Sequence, residues 1–388
     1  MRKIPNCPAR PAIRRRPGWV RKELRLETIT PMLGAGTKPL HLDRQSYVRG
    51  GTIRGLLRYW WRACQFDVDF TELIQRETEL FGAASTPGRL SITLGEIEAK
   101  RTRNGTRFPN YVRFPFMGPG GADIQSQSIM VTFTLRLEYP AEYEPQLDNA
   151  LWAWANFGGI GMRTRRGAGA LLVREYAPAD CDALDERLRT LCGNHHQRER
   201  SWSVLSSRLR CGPKATDAMA AWGAALEKLS RFRQIPIGRP RMLSRSRWPE
   251  ADSIRRITRR AAARHRESIT GSNNAFPRAE LGLPLIIRFK DRGEPGPVTL
   301  VPVEGGRRPS PVILRPLQLQ DGSVVPMALI MNTPPLKGVR LDPLGKSYGG
   351  KHLRGHGVRG YLDSPLDRYG KDNAVDAFEE MLGREWNR

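Results

Sequence analysis

Two short segments concentrate cations at spacings that could hold a phosphate. In Gly50–Cys64 (GGTIRGLLRYWWRAC), Arg54, Arg58 and Arg62 recur every four residues, and on a helix that interval draws one basic stripe. Leu57, Trp60, Trp61 and Cys64 fall mostly on another face, suited to packing against a sheet. Unpaired N–H groups at the start of such a helix would also attract an anion. The predicted chemistry is a cradle for a phosphate backbone; the plainer reading is the solvated face of an amphipathic helix. In Phe157–Ala170 (FGGIGMRTRRGAGA), five glycines surround Arg163, Arg165 and Arg166. Glycines such as Gly159 and Gly161 permit positive φ or close approach of the backbone to a ligand. The segment is not a dinucleotide fingerprint, because its third glycine is out of register and a helix precedes it. Nor does GK[ST] follow, as a Walker A loop requires. Glycines interleaved with arginines suit a nucleic-acid backbone, the alternative being a flexible connection from helix to strand.

The whole chain is basic. Its 388 residues carry 64 Lys plus Arg against 39 Asp plus Glu, a formal net charge of +25. That excess repels itself and implies a polyanionic partner. Most of the positive charge is Arg, which favours bidentate phosphate contact and stacking. No apolar run approaches the roughly 20 residues that span a bilayer, so a membrane partner is not expected. Cys7, Cys64, Cys181, Cys192 and Cys211 form no CxxC pair, so neither a zinc ribbon nor a disulfide framework is expected, and a reducing cytoplasm is the simplest compartment. His195–His196 near Cys192 lacks a second ligand pair, and His352 and His356 sit among glycines; no metal or other cofactor is expected.

Several elements must position these segments. Residues 1–21 hold seven basic residues and no acid, too little apolar surface to fold alone, and read as a flexible basic arm. Leu24, Leu26 and Ile29 predict a strand stopping at Pro31, followed by a loop through Gly34 and Gly36. Thr52 is the expected N-cap of a helix over 53–65, and a second helix ends near Phe81–Gly82. Alternation over 89–99 and 128–139 predicts two half-buried strands. A helix over 145–157 and a strand over 171–176 complete the order β-α-β-β-α-β, a ferredoxin-like unit over 22–177. Residues 182–232 and 250–268 read as basic helices, with short strands at 283–289, 312–319 and 324–331. They predict a second, degenerate ferredoxin-like unit over 178–335, and an irregular tail over 336–388 with a helix near 373–382.

Three of these stretches together carry a resemblance. Thr30–Gly36 (TPMLGAG), Arg54–Arg62 (RGLLRYWWR) with Leu80–Gly82, and the Gly/Arg loop resemble the RAMP superfamily of type III CRISPR effectors, most like the first subunits of the Cmr (type III-B) complex. The similarity continues in Phe276–Phe289 and Arg308–Pro316, covering about two-thirds of the chain. The resemblance implies an α+β protein of two ferredoxin-like (RAMP/RRM-like) domains with helical insertions. It implies a subunit binding the 3′ region of a CRISPR RNA and helping to capture complementary target RNA, in antiviral defence. The implied partners are other RAMP subunits, small helical subunits and a large polymerase-like subunit. Arg54 and Arg58 would then contact RNA phosphates, and Gly159, Gly161, Arg163, Arg165 and Arg166 would line the RNA groove.

Some RAMP proteins cut RNA, and metal-free cleavage needs a base and an acid near the 2′-hydroxyl. His41 beside Asp43 is the best-placed pair, but a lone loop histidine is more often structural, and binding without catalysis is the expected role. The alternatives are a metal-independent endoribonuclease and a general RNA-binding assembly factor. Trp19, Phe108, Tyr111 and Tyr348, each beside basic residues, could stack unpaired bases or pack internally.

Overall fold

Alternating burial along β1 (Trp19–Thr28) turns Leu24 and Leu26 inward and Arg25 out to solvent. Pro31 has no N–H for the ladder, and the strand resumes beyond it as β2 (Met32–Leu33). Then follow α1 (Gly50–Ala63), α2 (Phe70–Phe81), β3 (Ser91–Arg101), α3 (Asn110–Arg113), β4 (Ser128–Pro140), α4 (Glu144–Phe157) and β5 (Leu171–Leu172). β4 pairs antiparallel with β3 on one edge and with β1 and β2 on the other, and β5 pairs antiparallel with β1. The order β5-β1-β4-β3, with two helical crossovers, is that of a ferredoxin-like unit. The computed structural model describes residues 16–34, 36, 38, 40–117, 123–193, 200–234, 245–266, 273–354 and 364–386. Most of the expected basic arm, with His195, His196 and His356, lies outside them.

The second half repeats the plan with interruptions. After α5 (Cys181–Cys192) come β6 (Leu209–Cys211), α6 (Ala218–Gln234), α7 (Glu250–Thr258), β7 (Leu285–Ile287), β8 (Val298–Pro302), β9 (Val312–Gln318) and β10 (Val324–Ile330). β11 (Gly338–Asp342), β12 (Lys346–Gly349), α8 (Pro365–Tyr369) and α9 (Ala374–Trp386) complete the chain. β6, β10 and β9 form one antiparallel sheet in that order, with α6 and α9 packed on it. This is the ferredoxin-like order with three strands among the described residues. The two insertions of this unit, between α6 and β9 and between β10 and α9, meet in a separate sheet, β12-β11-β8-β7. That sheet has its own core around Phe276, Leu300, Val339 and Leu341.

β9 and β10 are buried on both faces. Ile313 and Leu317 join the core of the first unit, while Val312 and Leu314 face α6 and α9. The two ferredoxin-like units therefore share apolar surface. α5 also belongs to the first unit's core, through Leu184, Leu188 and Cys192. No helix among the described residues is long and apolar enough to cross a membrane.

Four expectations need correction. Thr52 does not cap α1, which begins two residues earlier behind Arg49. The stretch 182–232 is not helical throughout, since β6 interrupts it. Residues 336–388 are not an irregular tail: β11 and β12 complete the insertion sheet, and Phe378, Met381 and Leu382 of α9 pack in the second unit's core. These strands are only four or five residues long, so their place in the sheet comes from distant partners rather than local pattern. Finally, Cys181 and Cys211 are joined as a disulfide, with their Cα atoms 6.5 Å apart, tying the start of α5 to β6. Their separation of 30 residues matches no motif.

Candidate nucleic-acid interface

The Gly/Arg loop leaves the last turn of α4 and is held at its base by Thr30. The Thr30 hydroxyl donates to the Gly167 carbonyl at 2.6 Å and accepts from the Ala170 N–H at 2.9 Å. The Met162 N–H donates to the Leu33 carbonyl and the Gly169 N–H to that of Pro31. Gly161, at φ +85°, lies so close to β2 that a Cβ there would stand 2.5 Å from the Met32 side chain. At Gly159 a Cβ would stand 2.6 Å from the Gly169 carbonyl oxygen. Both glycines thus serve close approach of the chain to itself. The segments 30–36 and 157–170 are two sides of one clasp.

Its arginines reach the second unit. Arg165 donates to the Ser310 carbonyl and the Tyr59 hydroxyl, each at 2.7 Å. Arg166, buried, donates to the Val312 carbonyl at 2.7 Å. Burial without a facing carboxylate pushes its guanidinium down to about 10. Arg163 sits in the left-handed region, at φ +62°, and closes the turn through its carbonyl. Burial lowers Arg163 as well. The guanidinium groups of Arg166 and Arg233 lie 5.9 and 5.8 Å from the centre of the Tyr111 ring, on α3. Arg233, from the last turn of α6, is itself lowered by burial. Glu250, the acid that acts on Arg233, is already paired with Arg278 at 3.1 Å. At the junction of the two units, Arg163, Arg166 and Arg233 thus gather beside the Tyr111 ring, while Arg165 lies 5.6 Å over the Tyr59 ring. Tyr111 was readable in sequence as an aromatic beside basic residues; Arg233 was hidden in a helical stretch among many arginines.

The α1 stripe faces elsewhere and has internal partners. Arg62 makes a bidentate ion pair with Glu77 of α2, which is 5 % exposed, and the Arg58 Nε lies 3.3 Å from the same carboxylate. Arg54 donates to the carbonyls of Phe81 and Leu90 at 3.1 and 3.0 Å, and Arg58 to that of Gly82. Arg54 and Arg58 still form one wall of a surface hollow along Gly82–Gly88. Arg62 is held more fully, and the N-terminal turn of α1 carries no acid.

Asp43 is engaged as a turn residue. Its carboxylate accepts the N–H groups of Gln45 and Ser46 and pairs with Arg49. No hydrogen bond joins it to His41 among the described residues. His265, Asp291 and Glu294 could together hold a metal ion. Both carboxylates, however, already face Arg255 and Arg264 at 2.7 and 2.5 Å. His352 Nδ1 donates to the Asn274 carbonyl, 2.7 Å away, and the ring packs edge-on against Tyr348. Phe108 is buried against Trp222, whereas Trp19 lies partly exposed under Arg16.

Residues 25–172 match the RAMP superfamily model. The Pyrococcus furiosus CRISPR system Cmr subunit Cmr1-1 is 27% identical over 164 residues, covering 39% of this chain and 47% of that protein. Cmr1-2 of the same organism is 24% identical over 178 residues, covering 38% of this chain and 92% of that protein. The chain thus spans about half the length of Cmr1-1 in this match. The crystal structure of apo Cmr1 from P. furiosus aligns with a TM-score of 0.47 at 18% identity, over 82% of this chain and 89% of that one. A chain of the Type III-B Cmr-beta complex bound to cognate target RNA aligns at 0.47 and 12% identity, over 93% and 100%. The chain thus carries a RAMP-superfamily match over residues 25–172, on a ferredoxin-like unit, and is similar there to the Cmr1 subunits.

Proposed function

We propose that this chain is a non-catalytic RNA-binding subunit of a type III-B CRISPR (Cmr) ribonucleoprotein, holding the 3′ region of the CRISPR RNA and helping to capture complementary target RNA. The observation that carries this reading is the approach of Arg166 and Arg233 to the Tyr111 ring, with Arg163 nearby, at the junction of two ferredoxin-like units. Arg163, half-buried, supplies charge for phosphates, Arg166 and Arg233 raise the positive potential behind it, and the partly exposed Tyr111 ring offers a surface to an unpaired base. Gly159 and Gly161 shape the loop that presents the arginines. Arg54 and Arg58 contribute through the hollow they line, and Arg62 braces α1 against α2. Sequence is read by pairing with the guide rather than by side chains.

The relationship to Cmr1 subunits supports an assembly with other RAMP subunits, small helical subunits and a large polymerase-like subunit, working in the cytoplasm. In that reducing compartment Cys181 and Cys211 would stand as adjacent thiols. The internal engagement of Asp43 supports binding over cleavage by His41 and Asp43.

The test is to purify the tagged chain from its host, sequence the co-purifying RNA and identify the co-purifying proteins. Short RNAs with a repeat-derived 5′ handle, together with a polymerase-like subunit, are expected. Ribosomal RNA or no RNA would overturn the assignment. In the same preparation, Tyr111→Ala with Arg163→Ala should weaken single-stranded RNA binding at least tenfold. Unchanged binding would remove the site.

A further inference from the structure

The chain carries a second concentration of cations that the Tyr111 site does not use. Residues 255–266 read RRITRRAAARHR. They close α7 and border a hollow of about 560 Å³, with Asp252 and Gly293 on its wall. The floor is built and charge-balanced. Arg255 is held by Asp252 and Glu294, each at 2.7 Å, and lies 5.2 Å over the Phe289 ring. His265, 5 % exposed, meets Glu294, and Arg264 pairs with Asp291 at 2.5 Å. The acids of this region are therefore taken by the floor.

The rim is different. Arg259, Arg260 and Arg266 are exposed, and no ion pair among the described residues reaches them. Their directions are set by the end of α7. Arg259 adopts the left-handed conformation that terminates the helix, and the Arg260 N–H turns back to the Arg255 carbonyl at 3.3 Å. The carbonyl end of a helix favours cations, which explains why arginines are tolerated there. It does not require three of them beside an open hollow whose floor is already charge-balanced.

We infer that this hollow is a second RNA contact, whose rim arginines Arg259, Arg260 and Arg266 take consecutive phosphates of a single-stranded RNA. It lies on the insertion sheet rather than at the junction of the ferredoxin-like units, so only an RNA longer than the Tyr111 site accommodates would engage both. The inference rests on the reading of the chain as an RNA binder and extends its footprint.

The experiment is fluorescence anisotropy on the full chain with labelled single-stranded RNAs of about 10 and about 40 nucleotides across a KCl series. Neutralising three phosphate contacts should lower the slope of log K against log salt by about 2 for single strands. Accordingly, Arg259→Ala, Arg260→Ala and Arg266→Ala combined should flatten the slope for the longer RNA by about that amount and weaken it at least tenfold. The shorter RNA should bind unchanged, and the matching triple lysine variant should retain most of the slope. An unaltered slope for the longer RNA in the triple alanine variant would overturn the inference. Failure of the functional reading looks different, because the wild-type chain would then bind neither RNA.

Discussion

Arg315 of β9 donates a 2.6 Å hydrogen bond to the carbonyl of Gly158, the residue that ends α4. The same guanidinium reaches Ala155 at 2.9 Å, Leu171 at 2.6 Å and Pro316 at 3.0 Å. It is fully buried with no carboxylate partner among the described residues, and burial pushes it down to about 9. The negative end of the α4 dipole and three carbonyls of the first unit replace the missing acid. One side chain of the second unit thus fastens the last turn of α4 and β5 of the first.

Replacing it should be costly. Arg315→Met leaves the carbonyls of Ala155, Gly158 and Leu171 without their donor, and stability should fall by about 3–5 kcal/mol, as for breaking a buried charged network. Lysine should recover less than half, because a single ammonium cannot span three directions. Urea unfolding at pH 7 measures this; a loss below about 1 kcal/mol would mean that water reaches those carbonyls.

Glu77 offers a second check, on α1. Because Arg58 and Arg62 converge on it, Glu77→Gln should destabilise the protein by about 2–3 kcal/mol. Arg62→Ala should add little to Glu77→Gln in the double variant, since both remove one interaction. RNA affinity at low salt should not fall in Glu77→Gln. A fall would mean that the pair positions α1 for RNA.

Glu280 provides a pH signature. Burial raises its carboxyl from 4.5 to about 7, opposed by Arg354 and by the N–H of Ala374 at the start of α9. A group raised on folding contributes stability that is fully present below pH 4.5 and is lost as pH rises through 7. The rise corresponds to about 3 kcal/mol at most. Wild type should therefore lose stability relative to Glu280→Gln between pH 5 and 8, and parallel pH profiles of the two urea midpoints would refute the assignment.

Much of the first unit was legible. Ile129, Val131, Phe133, Leu135 and Leu137 alternate through β4, and every one of them is buried, so period alone located the central strand. The four-residue spacing of Arg54, Arg58 and Arg62 placed them on one face of α1, as observed. What spacing could not say was that Glu77 and the carbonyls of Phe81 and Leu90 would meet that face. The partners come from α2 and the chain after it, and pairing across elements leaves no local period. Gly161 likewise reads as a position needing no Cβ, while the neighbour that fills the space, Met32, is identified only by the fold. β8, β11 and β12, with four or five residues each, are too short to announce themselves.

The shared core of the two units has a consequence during synthesis. The sheet of the first unit is complete once Leu172 has been made, but the strands that cover its core begin at Val312, and the helix that closes the second core ends at Trp386. At ribosomal rates of about 5–20 residues per second, the nascent first unit waits roughly 8–30 s for β9 and β10 with apolar surface uncovered. That interval makes the growing chain a client for chaperones, or for an RNA that binds before the last helix emerges.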